Sequence, residues 1–301
     1  MRTVIALGGN AIASGDEVTT SQQRSRVTEI SDSVETLVDH GHELVFTHGN
    51  GPQVGQLLLE QAGADVPERP LDVLVADTQG RTGYLIADGL ESVVDGRVVS
   101  MVTRTRVAQD DPAFQDPSKP VGPYYTETEA AQRPFETGPV RRPDGKRAYR
   151  RMVPSPEPVE VLESDEIRAL LECGATVVCG GGGGVPVVGN SGYEGVEAVV
   201  DKDYTSQLVA SAVEAECLVM ATDVEYAYRD FGTDDERPIR ETDAASLRGA
   251  LADGEFADGS MRPKVESCLR FLEGGGEQAV ITTPDAIAAA VVDNGGTQIH
   301  P

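Results

Sequence analysis

Thr3-Val4-Ile5-Ala6-Leu7-Gly8-Gly9-Asn10 and Glu43-Leu44-Val45-Phe46-Thr47-His48-Gly49-Asn50-Gly51-Pro52 are built alike: a short apolar run that breaks at a glycine-rich turn. Each run is short enough for a buried strand and too short for a helix. Between them, residues 21–40 place Val27, Ile30, Val34, Leu37 and Val38 on one helical face, and Gly41 follows as a C-terminal cap. Pro52 falls in the first turn of the next helix, where its missing N–H costs nothing, and Val54, Leu57 and Leu58 share one side of that helix. Strand, turn, helix, repeated, is the pattern of an α/β protein with a mostly parallel open sheet.

The pattern continues outward from these two units. Residues 71–94 read as a helix and 97–102 as a strand. A helix over 164–172, capped by Ser164 and followed by Gly174, leads to a strand at 175–179 that runs into Gly180 to Gly184. An extended segment at 196–200 ends in Asp201-Lys202-Asp203, and a helix follows with Leu208, Val209, Ala212 and Val213 inward. Residues 217–221 form a strand that ends in Thr222-Asp223-Val224; Val265, Cys268, Leu269 and Leu272 mark a late helix, and 279–282 a last strand. The stretch from about 105 to 158 differs, being dense in proline, charge and tyrosine. It is too long for an ordinary loop, so it is expected to be a small inserted subdomain or lid with little core of its own, on a single domain spanning 1–301.

Composition narrows the function. With 39% hydrophobic and 25% charged residues, the 301-residue chain is an ordinary globular one, large enough to bury a core without disulfides or a structural metal. No segment reaches the roughly 18 unbroken apolar residues of a membrane span, and the opening run is too short for a signal peptide, so a cytoplasmic location is expected. Cys173, Cys179, Cys217 and Cys268 form no C-x-x-C pair, and His40, His42, His48 and His300 are scattered, so no metal site is expected. Acidic residues number 50 against 25 basic, a net charge of −25 spread along the chain, which disfavours nucleic acid and anionic membranes as partners. Distributed acid of this kind keeps a globular protein soluble at high salt and suggests a salt-loving source. Of the 25 basic residues only four are lysines, Lys119, Lys146, Lys202 and Lys264. Codon bias alone could leave a few, but a lysine kept in so arginine-rich a chain is a candidate for a role needing a compact ammonium.

Three glycine-rich turns each follow a strand: Gly8-Gly9-Asn10, Gly49-Asn50-Gly51 and the run that includes Gly181 and Gly182. In an open parallel sheet such turns line one edge, where exposed N–H groups can hold phosphate oxygens. One turn alone is as well explained by helix capping, whereas three at one edge point to an anion site. A G-x-x-x-x-G-K-[ST] loop is missing, and Pro186 and Val187 stand where a dinucleotide-binding helix would begin, so the cations must come from elsewhere. Lys202, at a strand-to-helix junction, and Lys264, at a helix start just past Gly259-Ser260-Met261, are placed to supply them. Two lysines and oriented N–H groups suffice for phosphoryl transfer, which asks mainly for position and positive charge.

ALGGNA at 6–11, HGNGPQVG at 48–55, DPSKPVGP at 116–123, VPSPEP at 153–158, GGGGVPVV at 181–188, GVEAVVDKD at 195–203 and GSMRPKV at 259–265 together resemble carbamate kinase, within the amino acid kinase superfamily. The likeness runs in order from about residue 3 to 282. It implies an αβα sandwich with a small protruding subdomain, ATP/ADP with Mg²⁺, a homodimer, and carbamate and carbamoyl phosphate as substrates. Reversible transfer between them would serve ATP formation in arginine breakdown through the deiminase route, or carbamoyl phosphate supply. By motif, Gly8, Gly9, Asn10, Gly49, Asn50, Gly51, Gly181 and Gly182 would cradle phosphates and the transferred group. Lys202 and Lys264 would neutralise the phosphoryl group, Asp203 would orient lysines, and Lys119 would reach the acceptor. Thr222, Asp223, Val224 and Met261 would lie near the nucleotide, and Lys146 matches no motif. Another small-molecule kinase of the superfamily and a non-catalytic nucleotide-binding regulator are the alternatives; the inserted segment with Lys119 disfavours the first and the intact lysine set the second.

Overall fold

The computed structural model describes residues 1–12, 19–63, 65, 67–142, 144–256 and 261–301. The strands β1 (Arg2–Leu7), β2 (Glu43–His48), β3 (Val98–Ser100), β4 (Thr176–Cys179), β5 (Cys217–Ala221), β6 (Glu241–Asp243), β7 (Gln278–Thr282) and β8 (Thr297–His300) form one sheet. Their order is β6-β8-β7-β5-β1-β2-β4-β3, and every pairing is parallel except β7 with β8. The helices that matter below are α1 (Thr20–Asp39), α2 (Gly51–Gly63), α3 (Leu71–Leu90), α4 (Ser164–Glu172), α5 (Lys202–Ala212) and α6 (Met261–Glu273).

Because the sheet is covered on both sides, its strands read as unbroken apolar runs. Alternate residues of β1 feed two different cores. Ile5 and Leu7 join Phe46, Val178 and Val219 beneath α1 and α3, which supply Val27, Ile30, Val34, Ile86 and Leu90. Val4 and Ala6 join Val45, Val177 and Leu218 beneath α4, α5 and α6, which supply Ile167, Leu171, Val209, Val265 and Leu269. The αβα sandwich expected from the sequence is therefore present. Cys179, Cys217 and Cys268 are buried in these cores, where burial pushes their thiols up, Cys179 and Cys217 to about 12. Among the described residues, no helix is long and apolar enough to cross a membrane.

Local details differ from the sequence reading in a few places. Thr19 caps α1, with its hydroxyl accepting from Gln22 N and the Gln22 side chain closing a capping box. Ser164 is not the cap of α4: Glu163 holds that position, and the Ser164 hydroxyl instead donates to the Val161 carbonyl at 2.6 Å.

The 105–158 stretch contains more regular structure than its composition suggests. Its ends, Arg104–Val107 and Pro158–Val161, join Val185–Val188 and Glu194–Gly195 in a four-stranded sheet. Inside lies a separate three-stranded sheet, Lys119–Tyr125, Arg147–Val153 and Thr137–Arg141 in that order. Pro120, Pro123 and Pro139 all fall on its two edge strands, where a missing N–H is tolerated. Val153 and Val121 of this sheet join an aliphatic cluster with Val54, Leu71 and Val75. Guanidinium–aromatic stacking adds to it: Arg133 lies 4.3 Å from the Tyr125 ring centre, and Tyr124 is approached by Arg142 at 4.9 Å and Arg150 at 5.1 Å.

The acidic excess has a measurable consequence. Surface pairs such as Arg24–Asp88, Arg69–Asp77 and Arg248–Glu273 engage some carboxylates. A net charge of −25 nevertheless leaves most of the surface self-repelling at low ionic strength. Salt shortens the range of that repulsion, so the melting temperature should climb substantially from dilute buffer to molar KCl. A flat profile would show that repulsion does not limit stability.

Candidate active site

Chain order places the site. From β1 the chain moves to β2 on one side, and it later returns through α5 to β5 on the other side of β1. Connections therefore diverge at the carboxyl ends of β1 and β5, opening a crevice there. Backbone bonds tie the loops along this edge together: Gly8 N donates to Ala221 O at 3.0 Å, Gly49 N to Leu7 O at 2.9 Å, and Thr222 N to Thr282 O at 2.8 Å.

The first two glycine turns are in direct contact. A Cβ at Gly49 would lie 2.6 Å from Gly9 N, so only glycine lets the turns touch. The same point is 3.4 Å from Lys202 Cδ, which lays the Lys202 stem against the HGNG turn. Gly51 opens α2, whose first N–H groups have no intrahelical partner. Asn10 is exposed at the crevice and donates to Asp223 Oδ2 at 2.9 Å. Asn50 is buried and donates to Thr78 Oγ1 at 2.9 Å.

Gly181 and Gly182 lie one layer deeper and are buried. Cβ atoms there would come within 2.5 Å of His48 Nε2 and 2.0 Å of Asn50 Nδ2, and Gly182 has a φ of +64°. Glycine here allows close packing behind the HGNG turn.

Asp203 is the electrostatic centre. It is 3% exposed; Lys264 Nζ donates to its Oδ2 at 3.0 Å, and Lys202 Nζ donates to its Oδ1. Burial alone would raise the carboxyl pKa, but the two ammonium groups outweigh it and hold the group below the ordinary carboxylate range. Lys202 and Lys264 sit in the first turns of α5 and α6, two helices that Asp203 joins across 61 residues of sequence between it and Lys264. Asp201 is the N-cap of α5: its Oδ1 accepts from Asp203 N at 3.0 Å, and its Oδ2 accepts from Lys119 Nζ at 3.2 Å. Three of the four lysines are thereby gathered around two carboxylates. Lys146 is elsewhere, exposed and paired with Asp144 at 3.0 Å.

A cavity of 580 Å³ opens at the same edge, lined by Asn10, Thr222, Asp223, Thr283, Pro284 and Asp285 among others. Among the described residues, its lining does not include Val224 or Met261; Met261 packs half-buried against the core beneath α5 and α6. Gly259 and Ser260 of the GSMRPKV motif lie outside the described residues. Residues 283–285 carry no sequence signal that would have singled them out, and they reach the cavity because β7 is the neighbour of β5. Asp201 was visible only as part of a charged triplet.

His48 is buried within the same turn, its Nδ1 2.9 Å from the Gly49 carbonyl. Burial drives its pKa down to about 4, against the opposing effect of that hydrogen bond and with help from nearby Lys202. The unfolded chain therefore binds a proton near pH 6.5 that the folded chain refuses until about 4. Stability from this group is fully present above about pH 6.5 and falls as pH drops toward 4. Urea unfolding at pH 7 and pH 5 should show this loss, and His48→Gln should reduce it; an equal loss in the variant would assign it to other groups.

Comparisons with known proteins identify the family. Residues 1–283 match the model of the amino acid kinase family. The carbamate kinase of Halobacterium salinarum is 45% identical over 99% of this chain and 98% of its own length. That of Pyrococcus furiosus is 40% identical over 100% and 99%. The solved structure of carbamate kinase from Giardia lamblia bound to AMP-PNP superposes with a TM-score of 0.90 at 36% identity, covering 99% of this chain and 98% of that one. The N-acetylglutamate synthase of Neisseria gonorrhoeae, at 18% identity and a TM-score of 0.58, shares the fold alone. The chain belongs to the amino acid kinase family and, within it, to the carbamate kinases.

Proposed function

We propose that this chain transfers a phosphoryl group reversibly between ATP and carbamate, giving ADP and carbamoyl phosphate. The observation that carries the reading is the buried Asp203 holding Lys202 and Lys264 beside a third lysine, Lys119, on Asp201. The two lysines on Asp203 offset charge on the equatorial oxygens of the transferring group, and the turns at 8–10 and 49–51 supply N–H donors in fixed positions. Gly181 and Gly182 act through His48 and Asn50, which they hold from behind. Carbamate reacts as an oxyanion, so the step requires no general base. Lys119, from the small sheet, orients that acceptor.

The nucleotide takes the cavity beside Asn10, Thr222 and Asp223. The Giardia lamblia carbamate kinase binds AMP-PNP, an ATP analogue, which supports this assignment. Mg²⁺ in such sites is held largely by phosphate oxygens and water, helped by one or two carboxylates, and would neutralise phosphate charge. Asp223 and Asp285 line the cavity and are the carboxylates suited to that part.

Exposed Leu59, Val73 and Tyr84 offer apolar area for a homodimer surface. The acidic surface, together with the Halobacterium salinarum relative, supports a salt-adapted enzyme. A role in arginine breakdown in the cytoplasm completes the reading. The test is ATP formation from ADP and carbamoyl phosphate with the purified chain, from low to molar KCl. Turnover is expected at one or more salt concentrations, and no ATP at any of them would overturn the assignment.

A further inference from the structure

The segment 195–201 runs between the small three-stranded sheet and the sandwich, and two of its carboxylates are bonded in the same manner. Glu197 Oε1 accepts from Leu71 N, the first residue of α3, at 2.9 Å, while its Oε2 accepts from Arg151 Nη2 of the small sheet at 2.5 Å. Asp201 Oδ1 accepts from Asp203 N in the first turn of α5, while its Oδ2 accepts from Lys119 Nζ of the small sheet. Each carboxylate thus gives one oxygen to a helix start of the sandwich and the other to a cation of the small sheet. Val199 N donates to Pro154 O at 3.0 Å between them. Lys119 and Arg151 lie on adjacent strands, since Lys119 pairs with Val153 and Val121 with Arg151.

Stability is a poor explanation for this arrangement. The side chains of Lys119 and Glu197 are 37% and 45% exposed, and ion pairs that open to water add little to folding free energy. Placement is a better one. The small sheet bears Lys119 and is seated on the sandwich by aliphatic packing, with Val153 and Val121 in one cluster with Val54, Leu58, Leu71 and Val75. That packing seats the sheet but leaves the long Lys119 side chain to be aimed. An ammonium that must meet a small acceptor beside Lys202 and Lys264 needs its position fixed to within about an ångström.

We infer that Asp201 and Glu197 are positioning residues for Lys119. Asp201 registers the lysine against the start of α5, which carries Lys202 and Asp203, and Glu197 fixes the neighbouring strand against the start of α3. The inference rests on the acceptor-side reading of Lys119. Asp201→Asn keeps an oxygen for Asp203 N while removing the charge that holds Lys119, and Glu197→Gln does the same for Leu71 N and Arg151.

Steady-state kinetics with ADP and carbamoyl phosphate, ADP binding and thermal melting are measured on the full chain for Asp201→Asn, Glu197→Gln, Lys119→Ala and the Lys119→Ala/Asp201→Asn double variant. Loss of one charge-assisted contact should raise the carbamoyl phosphate KM about tenfold in Asp201→Asn, with ADP affinity and melting temperature unchanged. Glu197→Gln should shift KM in the same direction by less. In the Lys119→Ala background, Asp201→Asn should add less than about twofold, since the two residues act as one unit. Multiplying effects in the double variant, or ADP affinity falling in step with KM, would overturn the inference. A silent Lys119→Ala would instead overturn the acceptor-side reading, whereas a site that needs Lys119 but not Asp201 or Glu197 would sink the positioning inference alone.

Discussion

Replacing Lys264 or Lys202 by alanine should lower turnover by about 10²–10³-fold, because each removes one preorganised cation from the transferring phosphoryl group. Nucleotide affinity should change far less, since the cavity beside Asn10 and Asp223 lies on different loops. The difficulty is separating lost chemistry from lost folding. Asp203 is 3% exposed and gives one oxygen to each lysine, so removing one lysine leaves a buried carboxylate oxygen without that partner. Breaking such a pair costs up to about 3–5 kcal/mol. Lys264→Met keeps the one-to-one pair of Asp203 with Lys202 and fills the space with a flexible apolar chain. That variant should melt closer to the parent temperature than Lys264→Ala and still turn over slowly. Lys264→Arg should rescue poorly, because a planar guanidinium does not fit where a compact ammonium is 8% exposed. A folded Lys264→Ala or Lys202→Ala with parental turnover would remove these lysines from the mechanism.

What could be read from the sequence depended on how local the signal was. The sandwich was legible because burial on both faces makes each central strand a continuous apolar run, as in β1, β2 and β5. Lys202 and Lys264 were legible through the turns before them and the scarcity of lysine around them. The three-stranded sheet was not, since Pro120, Pro123 and Pro139 argue against strands until their edge positions are known. Arginine stacked on tyrosine also replaces the β-branched pattern that marks a strand. The short strands β6 and β8 likewise gave no clear period, being three and four residues long. Within Gly180 to Gly184, only the three-dimensional contacts show His48 and Asn50 filling the space where a Cβ would go. The second oxygen of Asp201 was beyond reach for a simpler reason: its partner Lys119 is 82 residues away on another sheet.

Lys119→Ala compared with Lys146→Ala gives the sharpest test of the acceptor side. Both lysines belong to the same small sheet region, both pair with an aspartate, and neither lies in a main core. Removing either subtracts one positive charge from a chain of net charge −25, so any general electrostatic effect is shared. Their surroundings differ. Lys146 is 78% exposed and pairs with Asp144 two residues away, a local turn contact that carries no information about the sandwich. Lys119 is 37% exposed and reaches Asp201, the cap of the helix that begins with Lys202. Carbamate and carbamoyl phosphate present little surface, so one well-placed charge contributes much of their orientation. Lys119→Ala should therefore lose about 10²-fold in kcat/KM for carbamoyl phosphate with ADP affinity near normal, as expected for misplacing a reacting group. Lys146→Ala should be indistinguishable from the parent. Equal, small losses at both positions would return Lys119 to the role of a surface charge and leave the acceptor to be held by Lys202, Lys264 and the glycine turns alone.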